Sequence, residues 1–228
     1  MKDLSLVQRV AFIGDIARGK RVLHLGCTNY PYTQDSIDNE MLLHDDLARV
    51  ASDLWGLDGD PDGLKVLEDR GYDNLIEGNI EDLEPLEGMP EFDVIVAGEI
   101  IEHLNNPGRF LTGVRKVMTE QTRLVITTIN AYSVFRGFYY ALRGKGGFAE
   151  PVHPDHVAYY SYITLKNLIE RHDLKVEKFL YYDIGVEHRK FSRRPLLWLN
   201  DVCVRLAPQL ADGVIAVCTL PVGSANVS

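Results

Sequence analysis

Cysteine is scarce in this 228-residue sequence. The three cysteines are Cys27, Cys203 and Cys218, and they show no paired spacing. A disulfide framework or a zinc cluster needs several cysteines at short, regular intervals, so the sequence argues against both. So few cysteines suit a reducing compartment, and we therefore expect a cytoplasmic protein.

Positive charge and long apolar runs are also in short supply. Lysine and arginine total 24 against 33 aspartates and glutamates, which gives a net charge of -9. An acidic protein repels a phosphate backbone, so a nucleic acid is disfavoured as a partner. No apolar run is long enough to cross a bilayer, and charges interrupt each apolar stretch of the first 20 residues. We therefore expect neither a signal peptide nor a membrane contact.

What the sequence does contain is an alternation of strand-like and helix-like segments. Apolar runs predict seven strands, at 21–27, 53–58, 75–80, 92–97, 123–129, 176–182 and 214–220. Helical periodicity predicts helices at 4–17, 36–51, 61–70, 107–118 and 161–172. This alternation predicts an α/β fold, a doubly wound, mostly parallel, seven-stranded Rossmann-like sheet with helices on both faces. The length predicts one domain over 1–228, with lid-like insertions at 131–160 and 185–208.

Three successive strand ends carry residues suited to a nucleotide-like ligand. In an open α/β sheet, ligands bind at the carboxyl ends of the strands. Gly26 ends the first strand and lets the backbone pass close to a ligand. Asp58 ends the second and can accept the hydrogens of ribose hydroxyls, while Asn79 and Ile80 follow the third and suit a base edge and a base face. A nicotinamide-binding domain would need a spaced triple-glycine signature, which the sequence lacks.

A second group of residues suggests chemistry next to this ligand. Glu99, Glu102 and His103 share one helix face if a helix begins directly after the fourth strand. Two carboxylates and an imidazole can bind a divalent cation, and His156 is a candidate fourth ligand. In a metal-free alternative, His153 or His156 is the general base that takes a hydroxyl proton. The plainer alternative is that Glu102 and His103 only cap and orient the helix.

The segment Phe92–Phe110, FDVIVAGEIIEHLNNPGRF, carries a family resemblance. It is similar to the fourth strand and following helix of class I S-adenosylmethionine-dependent methyltransferases, where the pattern is close to FDVVVAGEVIEHLxNP. The resemblance implies that Gly26 lines the methionine moiety of the cofactor, Asp58 binds its ribose, and Asn79 with Ile80 holds its adenine. The remaining cofactor contacts that it implies are His24, Gly59 and Gly98.

The cofactor loop departs from the family pattern. Members usually have an acid two residues before the glycine and a second glycine shortly after it. This chain has His24 at the first place and the run Cys27-Thr28-Asn29-Tyr30 after Gly26. An altered loop leaves open a second class of function, a cofactor-binding or regulatory module without turnover.

The ExxEH motif with a later Asp-His dipeptide also resembles the metal-dependent small-RNA 2′-O-methyltransferases. That resemblance implies that Glu99, Glu102, His103 and His156 bind Mg²⁺ or Mn²⁺. The acidic charge counts against an RNA acceptor. We expect O-methylation of a small molecule or glycan, with His103, His153 and His156 as the candidate catalytic residues. The amphipathic segment Leu196–Leu206 packs either on the core or, in a homodimer, on a second subunit.

Overall fold

The computed structural model describes residues 6–83, 86, 88–143, 155–183 and 194–221. These residues form one sheet flanked by helices. The strands are β1 Leu6–Val7, β2 Arg21–Leu25, β3 Asp53–Asp58, β4 Leu75–Glu77, β5 Val94–Gly98, β6 Arg123–Ile129, β7 Lys175–Tyr182 and β8 Gly213–Thr219. The helices are α1 Arg9–Ala17, α2 Thr33–Asp38, α3 Leu43–Ala48, α4 Pro61–Asp69, α5 Pro107–Val117, α6 Val134–Arg143, α7 Tyr162–Glu170 and α8 Arg194–Leu206.

The order of the eight strands across the sheet is β1-β7-β8-β6-β5-β2-β3-β4. Every neighbouring pair is parallel except those of β8, which runs antiparallel to both β6 and β7. The chain steps outward from β2 to β4 on one side and from β5 to β6 on the other, so the strand order reverses between β2 and β5. A reversal of this kind opens a ligand crevice at the carboxyl ends of the strands.

The predicted mostly parallel, doubly wound sheet is confirmed, but the predicted count of seven strands is one short. Leu6 and Val7 are not part of the leading helix; they pair with Tyr181 and Tyr182 as an edge strand. The helix begins only at Arg9 because the side chain of Gln8 accepts a hydrogen bond from the amide of Ala11 and so caps the first turn.

The helix predicted over 36–51 is also divided. It forms α2 and α3, separated at Glu40, whose φ of 55° lies in the left-handed region that no helix continues through. The break lets Leu42 and Leu43 turn into the core.

The central strands β2, β5, β6 and β8 are buried on both faces, which explains why their sequences are almost continuously apolar. Successive residues of β2 point to opposite faces. Leu23 belongs to the core cluster that includes Phe110 of α5 and Ile169 of α7, and Val22 belongs to the cluster that includes Ile13 of α1. The crevice edge is therefore held between two well-packed layers.

The two predicted insertions are described in part. Residues 131–143 include α6, and the chain returns to the sheet at Tyr160, which pairs with Asn130. Helix α8 lies in the second insertion and contacts α6. His153, with the rest of 144–154 and 184–193, lies outside the described residues. None of the described helices has the length and hydropathy needed to span a membrane.

Candidate active site

Gly26 lies where the loops after β2, β4 and β5 meet. Its φ is 75°, and an added Cβ would stand 2.5 Å from Cγ2 of Ile100 and 3.8 Å from Cδ1 of Ile80. Its amide donates to the carbonyl oxygen of Leu57 at 2.8 Å. The positive φ and the lack of room for a Cβ both require glycine at this position. Backbone without a side chain therefore faces the crevice.

Asp58 is fixed beside this turn. Its side chain is buried, with Oδ2 accepting from the Thr28 amide at 2.9 Å and Oδ1 accepting from the Asp60 amide at 3.1 Å. The bond from Thr28 joins the ends of β2 and β3, and the bond from Asp60 fixes the turn after β3. An ionised carboxylate has more acceptor sites than these two bonds use, so Asp58 can also accept from a ribose.

A shallow hollow of about 460 Å³ continues from Asp58 past the end of β4. It is lined by Gly59, Glu77, Gly78, Asn79, Ile80, Glu81 and Leu104. The side-chain oxygen of Asn79 accepts from the Glu81 amide at 2.9 Å, which leaves the Asn79 NH₂ group to face a ligand. Three predicted cofactor contacts, Gly59, Asn79 and Ile80, thus line one hollow that suits a flat base.

His24 points away from this hollow. It is only 2% exposed, and its Nδ1 lies 3.1 Å from Nδ1 of His44 on α3. Burial, and then the neighbouring His44 and Arg9, lower the pKa of His24 well below its usual value, and burial lowers the pKa of His44 to about 4. At neutral pH both imidazoles are uncharged, one donating to the other, and the pair ties β2 to α3.

Arg9 is a residue that the sequence analysis missed. Its guanidinium lies 5.9 Å from the centre of the Tyr182 ring, and one of its nitrogens is 3.7 Å from the position of a Cβ on Gly98. The first helix therefore brings a cation to the reversal point of the sheet. A single arginine at the start of a helix belongs to no motif, so nothing in the sequence alone points to it.

The predicted helix face that would carry Glu99, Glu102 and His103 is wrong. These residues lie in the loop before α5, and Glu99 has a left-handed φ of 55°. The helix begins only at Pro107, because the side chain of Asn106 caps its first turn and proline favours the first helical position.

The loop nevertheless brings Glu102, His103 and His156 together. Each offers a ligand atom within 4.8 Å of the others, and the two imidazole rings meet edge to face at 4.5 Å. The amide of Val157 donates to the Glu102 carbonyl oxygen at 2.9 Å, which holds the returning segment over the loop. We call these three residues the ligand cluster. Glu99 is not part of it; the Tyr182 hydroxyl donates to Oε1 of Glu99 at 2.5 Å.

Glu102 has the most unusual electrostatics of the cluster. Its side chain is fully buried, and neither carboxylate oxygen has a partner of hydrogen-bond geometry among the described residues. Burial, and next the charge of Glu99, raise the pKa of Glu102 to about 7, although Thr128 and the backbone at Ile129 are close enough to oppose the rise. A buried carboxylate without a partner is costly, and a bound cation would satisfy it. One carboxylate and two imidazoles suit a divalent transition-metal ion such as Mn²⁺ better than Mg²⁺, which prefers oxygen ligands.

The strand order and the crevice at the end of β2 and β5 are those of the class I S-adenosylmethionine-dependent methyltransferase fold. A family model described as a methyltransferase domain matches residues 4–178, and the chain belongs to that family. Membership confirms the family expected from the sequence, whose cofactor is S-adenosylmethionine.

Individual relatives are more distant. The ubiquinone biosynthesis O-methyltransferase of Azorhizobium caulinodans is 25% identical over 118 residues, which cover 50% of this chain and 42% of that protein. The chain thus spans less than half the length of the curated relatives it matches.

Solved structures agree with the fold. A methyltransferase from Archaeoglobus fulgidus superposes with a TM-score of 0.55 at 18% identity, covering 92% of this chain and 91% of that one. The [4+2]-cyclase SpnF gives 0.55 at 13% identity, covering 94% and 80%. At these identities the likeness shows the shared fold, and a cyclase among the matches means that fold alone does not determine the reaction.

Proposed function

We propose that this protein transfers a methyl group from S-adenosylmethionine to a hydroxyl oxygen of a small molecule or glycan. The observation that carries the proposal is the ligand cluster, which gathers a buried carboxylate and two imidazoles beside the cofactor crevice. The names of the curated relatives, O-methyltransferases of ubiquinone biosynthesis, support oxygen as the methylated atom and a small molecule as the acceptor.

The cofactor end of the site serves to position one reactant. When bound, S-adenosylmethionine supplies a methyl group on a positively charged sulfur. Gly26 would lie beneath its methionine moiety, Asp58 would accept from its ribose hydroxyls, and Asn79 and Ile80 would hold its adenine. Methyl transfer is an in-line displacement. Most of the rate acceleration therefore comes from holding the methyl donor and the acceptor in line with each other.

The acceptor end would be the ligand cluster. Glu102, His103 and His156 would hold a divalent cation, whose chemistry is to lower the pKa of an acceptor hydroxyl and to fix its direction. In the metal-free alternative, an imidazole of the cluster takes the hydroxyl proton directly, a role suited to a histidine near neutral pH. The unpartnered carboxylate of Glu102 favours the version with a cation.

The test measures release of S-adenosylhomocysteine with catechols, free sugars and a short RNA as acceptors. We expect release with a hydroxylated small molecule, its loss with EDTA and its recovery with Mn²⁺. His156→Ala should abolish release, while His172→Ala, a substitution at the surface contact with Thr112, should not. Activity that survives EDTA supports the metal-free version. Cofactor binding without release on any acceptor would instead favour a module without turnover, and release with RNA alone would favour an RNA methyltransferase.

A further inference from the structure

The methionine end of S-adenosylmethionine carries an ammonium group and a carboxylate. A crevice that removes these charges from water must give each of them hydrogen-bond partners, and an opposite charge is the strongest of these. In the proposed function, on which this inference rests, that end lies at the reversal point between β2 and β5. The question is which acid at this point faces the ammonium group.

The β2 side of the reversal point offers no free acid among the described residues. Gly26 has no side chain, and His24 is an uncharged imidazole turned toward His44. Asp58 is held by the amides of Thr28 and Asp60, on the side of the ribose.

On the β5 side, Glu99 follows Gly98 directly. Its amide donates to the carbonyl oxygen of Thr127 at 2.9 Å, and its φ of 55° is uncommon for a residue with a side chain. Strained backbone of this kind concentrates at functional sites, where surrounding contacts hold it in place.

The contact that holds the Glu99 carboxylate is Tyr182. This tyrosine is 5% exposed, and its hydroxyl donates to Oε1 of Glu99 at 2.5 Å, with the carbonyl oxygen of Thr128 at 3.3 Å. The ring lies against Gly213, where an added Cβ would stand 1.9 Å from the ring carbon that bears the hydroxyl. A buried ring on a glycine has little freedom, so the hydroxyl fixes where the carboxylate stands.

Arg9 completes the arrangement. Its guanidinium lies 5.9 Å from the centre of the same tyrosine ring and next to Gly98. A cation and an anion therefore stand at the end of β5, on the side that α1 covers, which matches the two charges of an amino acid.

We infer that Glu99 receives the ammonium group of the methionine end, that Tyr182 is the positioning residue that aims its carboxylate, and that Glu99 does not bind a cation with Glu102. The ligand cluster is complete without it, since Glu102, His103 and His156 already lie within 4.8 Å of one another. Arg9 faces the carboxylate of the same methionine end.

The experiment compares two ligands by calorimetry in EDTA. S-adenosylhomocysteine has the ammonium group, and 5′-methylthioadenosine lacks the whole amino-acid part. Glu99→Gln should weaken S-adenosylhomocysteine binding about 10- to 100-fold, the loss expected for a charge-assisted hydrogen bond, and leave 5′-methylthioadenosine unchanged. Tyr182→Phe should weaken the binding of S-adenosylhomocysteine by a smaller factor than Glu99→Gln does, and should leave the binding of 5′-methylthioadenosine unchanged. Glu177→Gln, at a half-exposed glutamate that pairs with Arg123, is the control and should change neither affinity.

Wild-type affinity of Glu99→Gln for S-adenosylhomocysteine would overturn the inference, and so would an equal loss for both ligands. Mn²⁺ binding is measured by electron paramagnetic resonance. If Glu99→Gln loses Mn²⁺ binding but still binds S-adenosylhomocysteine, Glu99 is a cation ligand instead. If the ligand pattern holds but no acceptor is methylated, the proposed function fails while the inference stands.

Discussion

Glu102 is expected to reduce the stability of the protein at neutral and alkaline pH. Because its pKa is about 7 in the folded protein against an ordinary value of 4.5, the folded state retains a proton between these pH values that the unfolded chain has lost. The free energy of unfolding therefore falls as pH rises through this window. At about 1.4 kcal/mol per pH unit, the cost above pH 7 reaches about 3 kcal/mol.

The Glu102→Gln variant removes this cost, since glutamine does not ionise. Urea unfolding in EDTA should find the variant more stable than wild type by up to about 3 kcal/mol at pH 8.5, and by less than about 1 kcal/mol at pH 5. Mn²⁺ should cancel the difference at pH 8.5 by stabilising wild type alone. Glu177→Gln, at a half-exposed glutamate near Arg123, is the control and should show no such dependence. An advantage of equal size at both pH values would refute the reasoning.

Three further substitutions test the assignment of Asp58 and the packing around β2. Asp58→Ala should weaken cofactor binding by about 1.5–3 kcal/mol in a calorimetric titration, and unchanged affinity would remove its assignment to the ribose. Gly26→Ala should lower the free energy of unfolding by about 1–3 kcal/mol, because the new Cβ meets Ile100 at 2.5 Å. Thermal unfolding should therefore show a lower midpoint than wild type. His44→Ala should cost about 2 kcal/mol of stability by leaving His24 buried without its partner, and a wild-type unfolding curve would contradict this.

The strands could be predicted from the sequence because their burial on both faces leaves an unambiguous signal. Residues 53–58 and 123–129 match the predicted bounds, and β5 differs only at its ends. The edge strand β1 could not be predicted, because two residues carry no periodicity and gain their structure from pairing with β7.

The candidate site could be predicted only in part. The spacing of Glu99, Glu102 and His103 suits a helix face as well as a turn. In the structure these residues form a turn, because Glu99 has a left-handed backbone and Asn106 caps the helix that follows. That His156 reaches Glu102 agrees with the sequence, although the premise of a shared helix face was wrong.

The roles proposed for Arg9 and Tyr182 could not be predicted from the sequence, for a different reason. They lie in α1 and at the end of β7, and the strand order of the sheet brings them to Glu99. A single sequence contains no local pattern that reports such long-range neighbours.

The place of β8 in the sheet has a consequence for synthesis on the ribosome. This strand is the last of the described chain, yet it lies between β6 and β7. The parallel half from β5 to β4 can pair as soon as residue 98 has emerged, so the nucleotide-binding edge can form early. The half that contains Tyr182 has to wait for Gly213, and until then β6 and β7 have open edges that invite pairing with other chains. Slow translation beyond β7 would lengthen that exposed interval.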